Sequence, residues 1–83
     1  MEKKYYVYVH KRKTDGFPFY IGKGCGNRYL SSYSRNDWWK SVVSKHGFVS
    51  EIIKENMSEK CAYTLEKILI FKLKKQGVRL SNI

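Results

Sequence analysis

A short β-hairpin near the N-terminus constrains the fold more than any other feature of the sequence. The segments Tyr5–His10 and Phe17–Ile21 are rich in the aromatic and β-branched residues that strands favour. The Asp-Gly pair at positions 15 and 16 is a strong signal for a tight turn between them. If the two strands pair antiparallel, we expect Tyr8 and Tyr20 to lie near each other on one surface of the sheet.

The rest of the chain alternates helix and strand signals. Glycines at positions 22, 24 and 26 end the second strand, Asn36 or Asp37 is suited to cap a helix, and Ser58 is suited to cap another. The elements predicted after the hairpin are a short helix over Asn27–Ser32, a helix over Trp38–Lys45, a strand over Phe48–Ile53 and a long helix over Glu59–Gln76. The order β-β-α-α-β-α predicts one α+β domain over residues 1–83, with a small three-stranded antiparallel sheet flanked by helices.

The charge of the chain predicts a polyanionic partner. The 83 residues include 17 lysines and arginines against 7 acidic residues, a formal charge of +10. So large an imbalance in a small domain favours nucleic acid over a membrane surface as partner. The sequence has no apolar run long enough to span a membrane and no signal-peptide core, so we expect a cytoplasmic protein. It does not indicate an oligomeric state or a small-molecule cofactor.

Two features of the helices suggest binding or catalysis. Trp38 and Trp39 are adjacent and cannot share one helix face, so one is expected in the core and the other could stack on a base. Glu66 is the only carboxylate after Glu59, in a stretch rich in lysine. It is expected on the shoulder of the buried face, where it is either a ligand for a divalent metal or a surface ion-pair partner of Lys67 or Lys72.

The ordered set of these motifs resembles the GIY-YIG nuclease family over nearly the whole chain. Tyr6-Val7-Tyr8 stands where the family has Gly-Ile-Tyr. Tyr20-Ile21-Gly22 matches Tyr-Ile-Gly, the second of the two segments that give the family its name. Tyr6 and Val7 depart from the family pattern. The further matching positions are Lys23, Arg28, Glu66 and Asn82.

The resemblance implies a metal-dependent DNA endonuclease of the phage or homing type that hydrolyses one phosphodiester bond with one Mg²⁺ or Mn²⁺ ion. Glu66 would hold the metal and Arg28 a phosphate oxygen. Tyr8 would activate the water and Tyr20 would assist, although the exchanged assignment stays open. Lys23 is expected close to the phenols, where its charge would favour tyrosinate. By the same resemblance, Asn82 would complete the catalytic set.

Basic residues outside the motifs are expected to contact DNA phosphates with weak sequence preference. They are Lys11, Arg12, Lys13, Arg35, Lys40 and Lys45. Two other interpretations remain open. One is a structure-selective, repair-type nuclease that acts on branched or damaged DNA, and the other is a non-catalytic nucleic-acid-binding module with the same fold. If the protein is phage-encoded, the host cytoplasm is its expected location.

Overall fold

The computed structural model describes residues 3–31 and 35–82, and it has the predicted α+β architecture. Its elements in chain order are strand β1 (Tyr5–Arg12), strand β2 (Pro18–Gly24), a 3₁₀ turn (Arg28–Leu30), helix α1 (Asp37–His46), strand β3 (Phe48–Met57) and helix α2 (Glu59–Lys75). The strands form one antiparallel sheet in the order β2-β1-β3. Strand β1 is therefore central, and β2 and β3 are the edges.

The helix caps are those that the sequence predicts. The side chain of Asn36 accepts a hydrogen bond of 2.8 Å from the Trp39 N–H at the start of α1. Ser58 accepts one of 3.2 Å from the Cys61 N–H at the start of α2. Gly47 ends α1 with a φ of 68°, a conformation that glycine adopts without steric cost. Within the described ranges, no helix is long and apolar enough to cross a membrane.

Two predicted boundaries are wrong for identifiable reasons. The helix expected over Asn27–Ser32 is only the 3₁₀ turn Arg28–Leu30, since Asn27 makes no side-chain cap, and Ser32 lies outside the described residues. Strand β3 continues past Ile53 to Met57. Its polar end pairs with the central strand, because Val7 lies opposite Lys54 and Tyr5 lies opposite Met57. Pairing with β1 therefore extends the strand beyond its own apolar pattern.

The two faces of the sheet bury different kinds of side chain. Between the sheet and α2 lies an aliphatic core made of Val7, Val9, Ile21, Met57, Ala62 and Leu80. The opposite face carries an aromatic layer that contains Tyr6, Tyr8, His10, Tyr20, Trp39 and Phe48. Successive side chains of a strand point to opposite faces, so the alternation along β1 separates the two layers.

The free edge of β2 is covered by the end of the chain. Ser81 donates both its N–H (2.6 Å) and its hydroxyl (2.9 Å) to the Phe19 carbonyl. The Asn82 side chain accepts from the Ile21 N–H (2.9 Å) and donates to the Ile21 carbonyl (2.6 Å). The Asn36 side chain donates to the Ser81 carbonyl (2.7 Å) and holds the segment in place. The C-terminal segment thus pairs β2 at the edge where another strand would otherwise add.

Candidate active site

Tyr8 and Tyr20 lie on the same face of the sheet, as the hairpin predicts. Tyr8 is opposite Gly22 in the β1–β2 register, and His10 is opposite Tyr20. The Tyr8 and Tyr20 ring centroids are 6.1 Å apart, and the His10 ring is stacked against Tyr20 at 5.5 Å. Tyr8 is completely buried, whereas Tyr20 is half-buried. Of the two phenols, Tyr20 is therefore the one nearer to solvent.

Two glycines of β2 make room for the site. A Cβ atom on Gly22 would lie 2.6 Å from the Tyr8 hydroxyl and 2.9 Å from the Tyr20 ring. A Cβ atom on Gly24 would lie 2.9 Å from the Cβ of Arg28. Both glycines alternate with Ile21 and Lys23 and face the aromatic layer. The absence of side chains along this row lets the Tyr8 phenol and the aliphatic stem of Arg28 lie directly against the strand.

Tyr6, which stands where the family resemblance has glycine, anchors the segment that carries Arg28. Its hydroxyl donates to the Gly26 carbonyl (2.8 Å) and accepts from the Tyr29 N–H (3.1 Å). The Tyr6 ring packs edge-on against both Tyr8 and Tyr29. The departure from the motif therefore has a structural role, since Tyr6 connects β1 to the loop between β2 and the 3₁₀ turn.

Arg35 belongs to the site and not to an exposed DNA-binding surface, which corrects the prediction made for it. Only 6% of Arg35 is exposed. Its guanidinium donates to the Tyr8 hydroxyl (3.0 Å), the Arg28 carbonyl (3.2 Å) and the Ser31 carbonyl (3.0 Å). It also lies 4.7 Å from the centroid of the Tyr20 ring. A buried charge needs such partners, and no pattern in the local sequence indicates them.

The environment of Tyr8 opposes its ionisation. Burial raises the pKa of the Tyr8 phenol to about 12, and the nearby Tyr20 adds to the increase. The hydrogen bond from Arg35 and the charges of Arg35 and Arg28 act in the opposite direction, because they favour the phenolate. Since the burial effect is larger, Tyr8 holds its proton at neutral pH in the free protein.

Lys23 does not lie beside the phenols, which corrects a second prediction. Its Nζ atom is 3.4 Å from the Glu59 carboxylate and 5.7 Å from the centroid of the Tyr5 ring. The reason is the alternation of β2, which directs Lys23 to the face that packs against α2, while Tyr20 points to the aromatic layer. The cations near the two phenols are instead Arg35 and Arg28.

Glu66 lies partly buried where α2 meets the end of β2. Burial raises the pKa of its carboxyl group, while the nearby N–H of Lys23 and the charges of Lys23 and Lys67 lower it. Among the described residues it makes no ion pair with Lys67 or Lys72, the alternative considered from the sequence. The groups that act on its carboxylate are therefore Lys23 on β2 and Lys67 on its own helix.

Asn82 also contacts β2, through the two hydrogen bonds to Ile21 described above. Both oxygen and nitrogen of its side-chain amide are thus used to hold the strand edge. Ile21, which Asn82 binds, lies two residues along β2 from Lys23, whose backbone N–H is near Glu66. Glu66 on α2 and Asn82 in the C-terminal segment thus both lie against the strand that carries Tyr20, Gly22 and Gly24.

A histidine that the motifs do not include lies at the centre of the aromatic layer. His10 is completely buried, its Nε2 is 2.7 Å from the Tyr29 carbonyl, and its Nδ1 accepts from the Trp39 indole N–H at 3.0 Å. These partners require the neutral ring with the proton on Nε2. Burial lowers the pKa of His10 to about 4, and the charge of Arg35 contributes to the decrease. The alternation of His10 with Tyr8 along β1 is the sequence signal for its position.

Apart from the buried Arg35, the predicted DNA-contacting cations divide into two groups. Lys11 and Arg12 are paired on the surface, with Glu51 and Asp15 respectively. Lys13, Lys40 and Lys45 are exposed and have no carboxylate partner within the described ranges. The hairpin tip also contacts the end of α1, because Thr14 Oγ1 lies 3.0 Å from His46 Nδ1. This places the basic turn near the C-terminal end of α1.

Comparison with known proteins gives no match: no family model, no curated protein and no solved structure is significantly similar to this chain.

Proposed function

We propose that this protein is a metal-dependent DNA endonuclease that acts in the cytoplasm and hydrolyses one phosphodiester bond. The observation that carries the proposal is the row along β2, where the Tyr8 phenol lies over Gly22 and the Arg28 stem lies over Gly24. Half-buried Tyr20 stands beside Tyr8 on the same face. A phenol and an exposed arginine that lie over neighbouring same-face positions of one strand suit a phosphate diester, which needs charge neutralisation and an oriented water.

The geometry supports an assignment for each of these groups. Arg28 is exposed and has no carboxylate partner in the described part of the chain, so its guanidinium is free to hold two phosphate oxygens. Tyr20 is nearer to solvent than Tyr8, and we assign it the contact with the attacking water. Tyr8 accepts a hydrogen bond from Arg35 and packs beside Tyr20, so we assign it a supporting role. This is the exchanged form of the assignment that the motif suggests.

Glu66 fits a single divalent ion. It supplies one partly buried carboxylate whose pKa is raised by burial, so positive charge beside it is favourable. In the described ranges no group of three or more His, Cys, Asp and Glu side chains is close enough to hold a metal. One carboxylate suits a Mg²⁺ or Mn²⁺ ion that keeps most of its waters. When bound, such an ion would neutralise charge on the phosphate and the leaving oxygen.

A non-catalytic nucleic-acid-binding module is the second candidate, and one observation favours it. Glu66 and Asn82 both contact the backbone of β2, so both have structural tasks that do not require catalysis. The net charge of +10 would serve binding equally well. The two candidates differ in one measurable respect, because only the nuclease converts supercoiled plasmid to the nicked form.

The deciding experiment is a nicking assay with Mg²⁺, with Mn²⁺ and with a chelator. We expect nicking that requires the metal in the wild-type protein and its loss in Glu66→Gln, which removes the anionic oxygen but little volume. The matched control is Glu51→Gln, because Glu51 is an exposed partner of Lys11 on β3. Nicking by Glu66→Gln at a rate close to that of Glu51→Gln would rule out the metal site. No nicking by the wild-type protein with either metal would favour the binding module.

A further inference from the structure

A groove with a volume of about 570 Å³ lies at the end of β2 opposite to Arg28. It is formed where the hairpin, α1 and the end of α2 meet. Its walls include Phe17, Phe19, Trp38, Val42, Gln76 and Val78. This volume is within the range of sites that hold small ligands. None of the residues proposed for catalysis lines it.

Exposed aromatic rings form the rim of the groove. Phe17 is 61% exposed and Trp38 is 42% exposed, whereas the adjacent Trp39 is almost completely buried. Trp39 packs inside the aromatic layer. Trp38 is too exposed to serve the same structural role. Large exposed rings that share one concave surface indicate a binding site rather than scattered surface residues.

Each exposed ring has an arginine over it. The Arg12 guanidinium lies 5.3 Å from the centroid of Phe17, and the Arg79 guanidinium lies 5.9 Å from that of Trp38. Arg12 is also paired with Asp15, but Arg79 has no carboxylate partner within the described ranges. No acidic side chain is among the described residues that line the groove. The groove therefore combines stacking surfaces with positive charge.

We infer that this groove binds an unpaired nucleotide of single-stranded DNA, with its base stacked on Trp38 or Phe17 and its phosphate near Arg79. Aromatic rings beside arginines are the usual means of holding single strands without sequence preference, because every base has a face that stacks. The polar side chain of Gln76 can form hydrogen bonds with a base edge. Double-stranded DNA does not offer an unstacked base to such a groove.

The position of the groove bears on the substrate of the proposed nuclease, and this step rests on the proposed function. Phe19 at the groove and Gly24 beneath Arg28 are five residue steps apart on β2, which is about 17 Å of strand. At the duplex rise of about 3.4 Å per nucleotide that length corresponds to about five nucleotides, and to fewer in an unstacked strand. An unpaired base in the groove would thus lie a few nucleotides from the cleaved phosphate. This arrangement favours branched or partly single-stranded DNA as substrate.

Binding is measured without cleavage, in the presence of a chelator, by fluorescence anisotropy. The probes are a labelled oligothymidylate of about ten nucleotides and a labelled duplex. We expect Trp38→Leu to weaken single-strand binding about tenfold, the loss typical of one stacked base, and to leave duplex binding nearly unchanged. Phe71→Leu is the matched control, since Phe71 is 67% exposed on α2 and does not line the groove. An equal loss for both probes would overturn the inference.

The charge and the fluorescence of the groove give independent tests. Arg79→Gln should weaken single-strand binding more than Lys75→Gln, which removes one charge from an exposed position outside the groove. Oligothymidylate should quench the fluorescence of the wild-type protein, and Trp38→Leu should abolish the quenching because Trp39 is buried. Equal effects of the two charge variants, or quenching that persists without Trp38, would contradict nucleotide binding in the groove. Phe17→Leu repeats the binding test if Trp38→Leu does not fold.

The outcomes separate this inference from the proposed function. If the wild-type protein nicks no DNA but binds oligothymidylate through Trp38, nucleotide binding in the groove is supported and the proposed nuclease activity is refuted. If the protein nicks plasmid through Glu66 and neither Trp38→Leu nor Phe17→Leu affects single-strand binding, the proposed nuclease activity is supported and nucleotide binding in the groove is refuted.

Discussion

The guanidinium of Arg35 donates a hydrogen bond of 3.0 Å to the hydroxyl of Tyr8, in a place that solvent does not reach. No carboxylate pairs with Arg35 in the described part of the chain. Its charge is instead stabilised by hydrogen bonds to two backbone carbonyls and by contacts with the faces of aromatic rings. One of those carbonyls belongs to Arg28, so Arg35 connects the Tyr8 phenol to the backbone of the proposed phosphate-binding residue.

Arg35→Gln should lower both stability and nicking. We expect a loss of about 1–3 kcal/mol in the free energy of unfolding, because the Tyr8 hydroxyl and two carbonyls lose a buried donor. Arg35→Lys should keep part of the stability, since it retains the charge but not the planar fork. Urea denaturation measures the first effect and plasmid nicking the second. Lys40→Gln is the control for an exposed cation, and a stability loss no larger than in this control would contradict the role of Arg35.

Tyr20→Phe should reduce nicking more than Tyr8→Phe does. Tyr20 is the phenol nearer to solvent, whereas the Tyr8 hydroxyl is buried and its pKa is raised to about 12. Loss of a group that orients the water typically lowers the rate by about 10²–10⁴-fold. Single-turnover nicking rates of the two variants give the comparison. A larger defect in Tyr8→Phe would restore the assignment that the motif suggests, and small equal losses would exclude a tyrosine from the chemistry.

Arg28→Ala should lower the nicking rate far more than it weakens DNA binding. Its proposed partner is the phosphate in the transition state, and other exposed cations such as Lys13 and Lys45 continue to supply affinity. Nicking kinetics and anisotropy with the same duplex separate the two effects, and Lys45→Ala is the matched control for a docking cation. If rate and affinity fall by the same factor, Arg28 only holds the DNA.

Gly22→Ala should destabilise the protein by about 1–3 kcal/mol, although glycine is normally unfavourable in a strand. The new methyl group would lie 2.6 Å from the buried Tyr8 hydroxyl, which has no room to move. Gly24→Ala should also destabilise the protein, because its nearest contact, at 2.9 Å, is the Cβ atom of Arg28, which is fixed to the backbone. Thermal or urea unfolding measures both. A Gly22→Ala variant as stable as the wild-type protein would show that Tyr8 does not lie against the strand.

The protein should lose stability as the pH falls from about 6.5 to about 4. The pKa of His10 is lowered from 6.5 to about 4 by burial, so over this range the unfolded chain binds a proton that the native state excludes. The stabilisation is complete above pH 6.5, and its loss amounts to about 3 kcal/mol at the lower limit. Unfolding free energies measured at several pH values test this. His10→Gln should show a shallower decline, and identical slopes would contradict the burial of a neutral imidazole.

The sequence by itself determined the elements of the fold where local signals were strong. The turn at Asp15 and Gly16 and the caps at Asn36 and Ser58 have local chemical causes, and all are present in the structure. The antiparallel hairpin then follows from the alternation of side chains, which is why Tyr8 and Tyr20 share a face as predicted. The separation of Trp38 from Trp39 follows in the same way from helical geometry.

Tertiary structure alone decided which charges surround the phenols. Local sequence suggested Lys23, but the pleat of β2 turns Lys23 toward Glu59, and Arg35 enters from a loop in which no periodic pattern reveals burial. Asn82 reaches Ile21 across 61 residues, and Glu66 meets the Lys23 backbone only because α2 packs on the sheet. Such contacts depend on how distant segments pack. The free-energy cost of burying a charged group can therefore be assessed only when that packing is known.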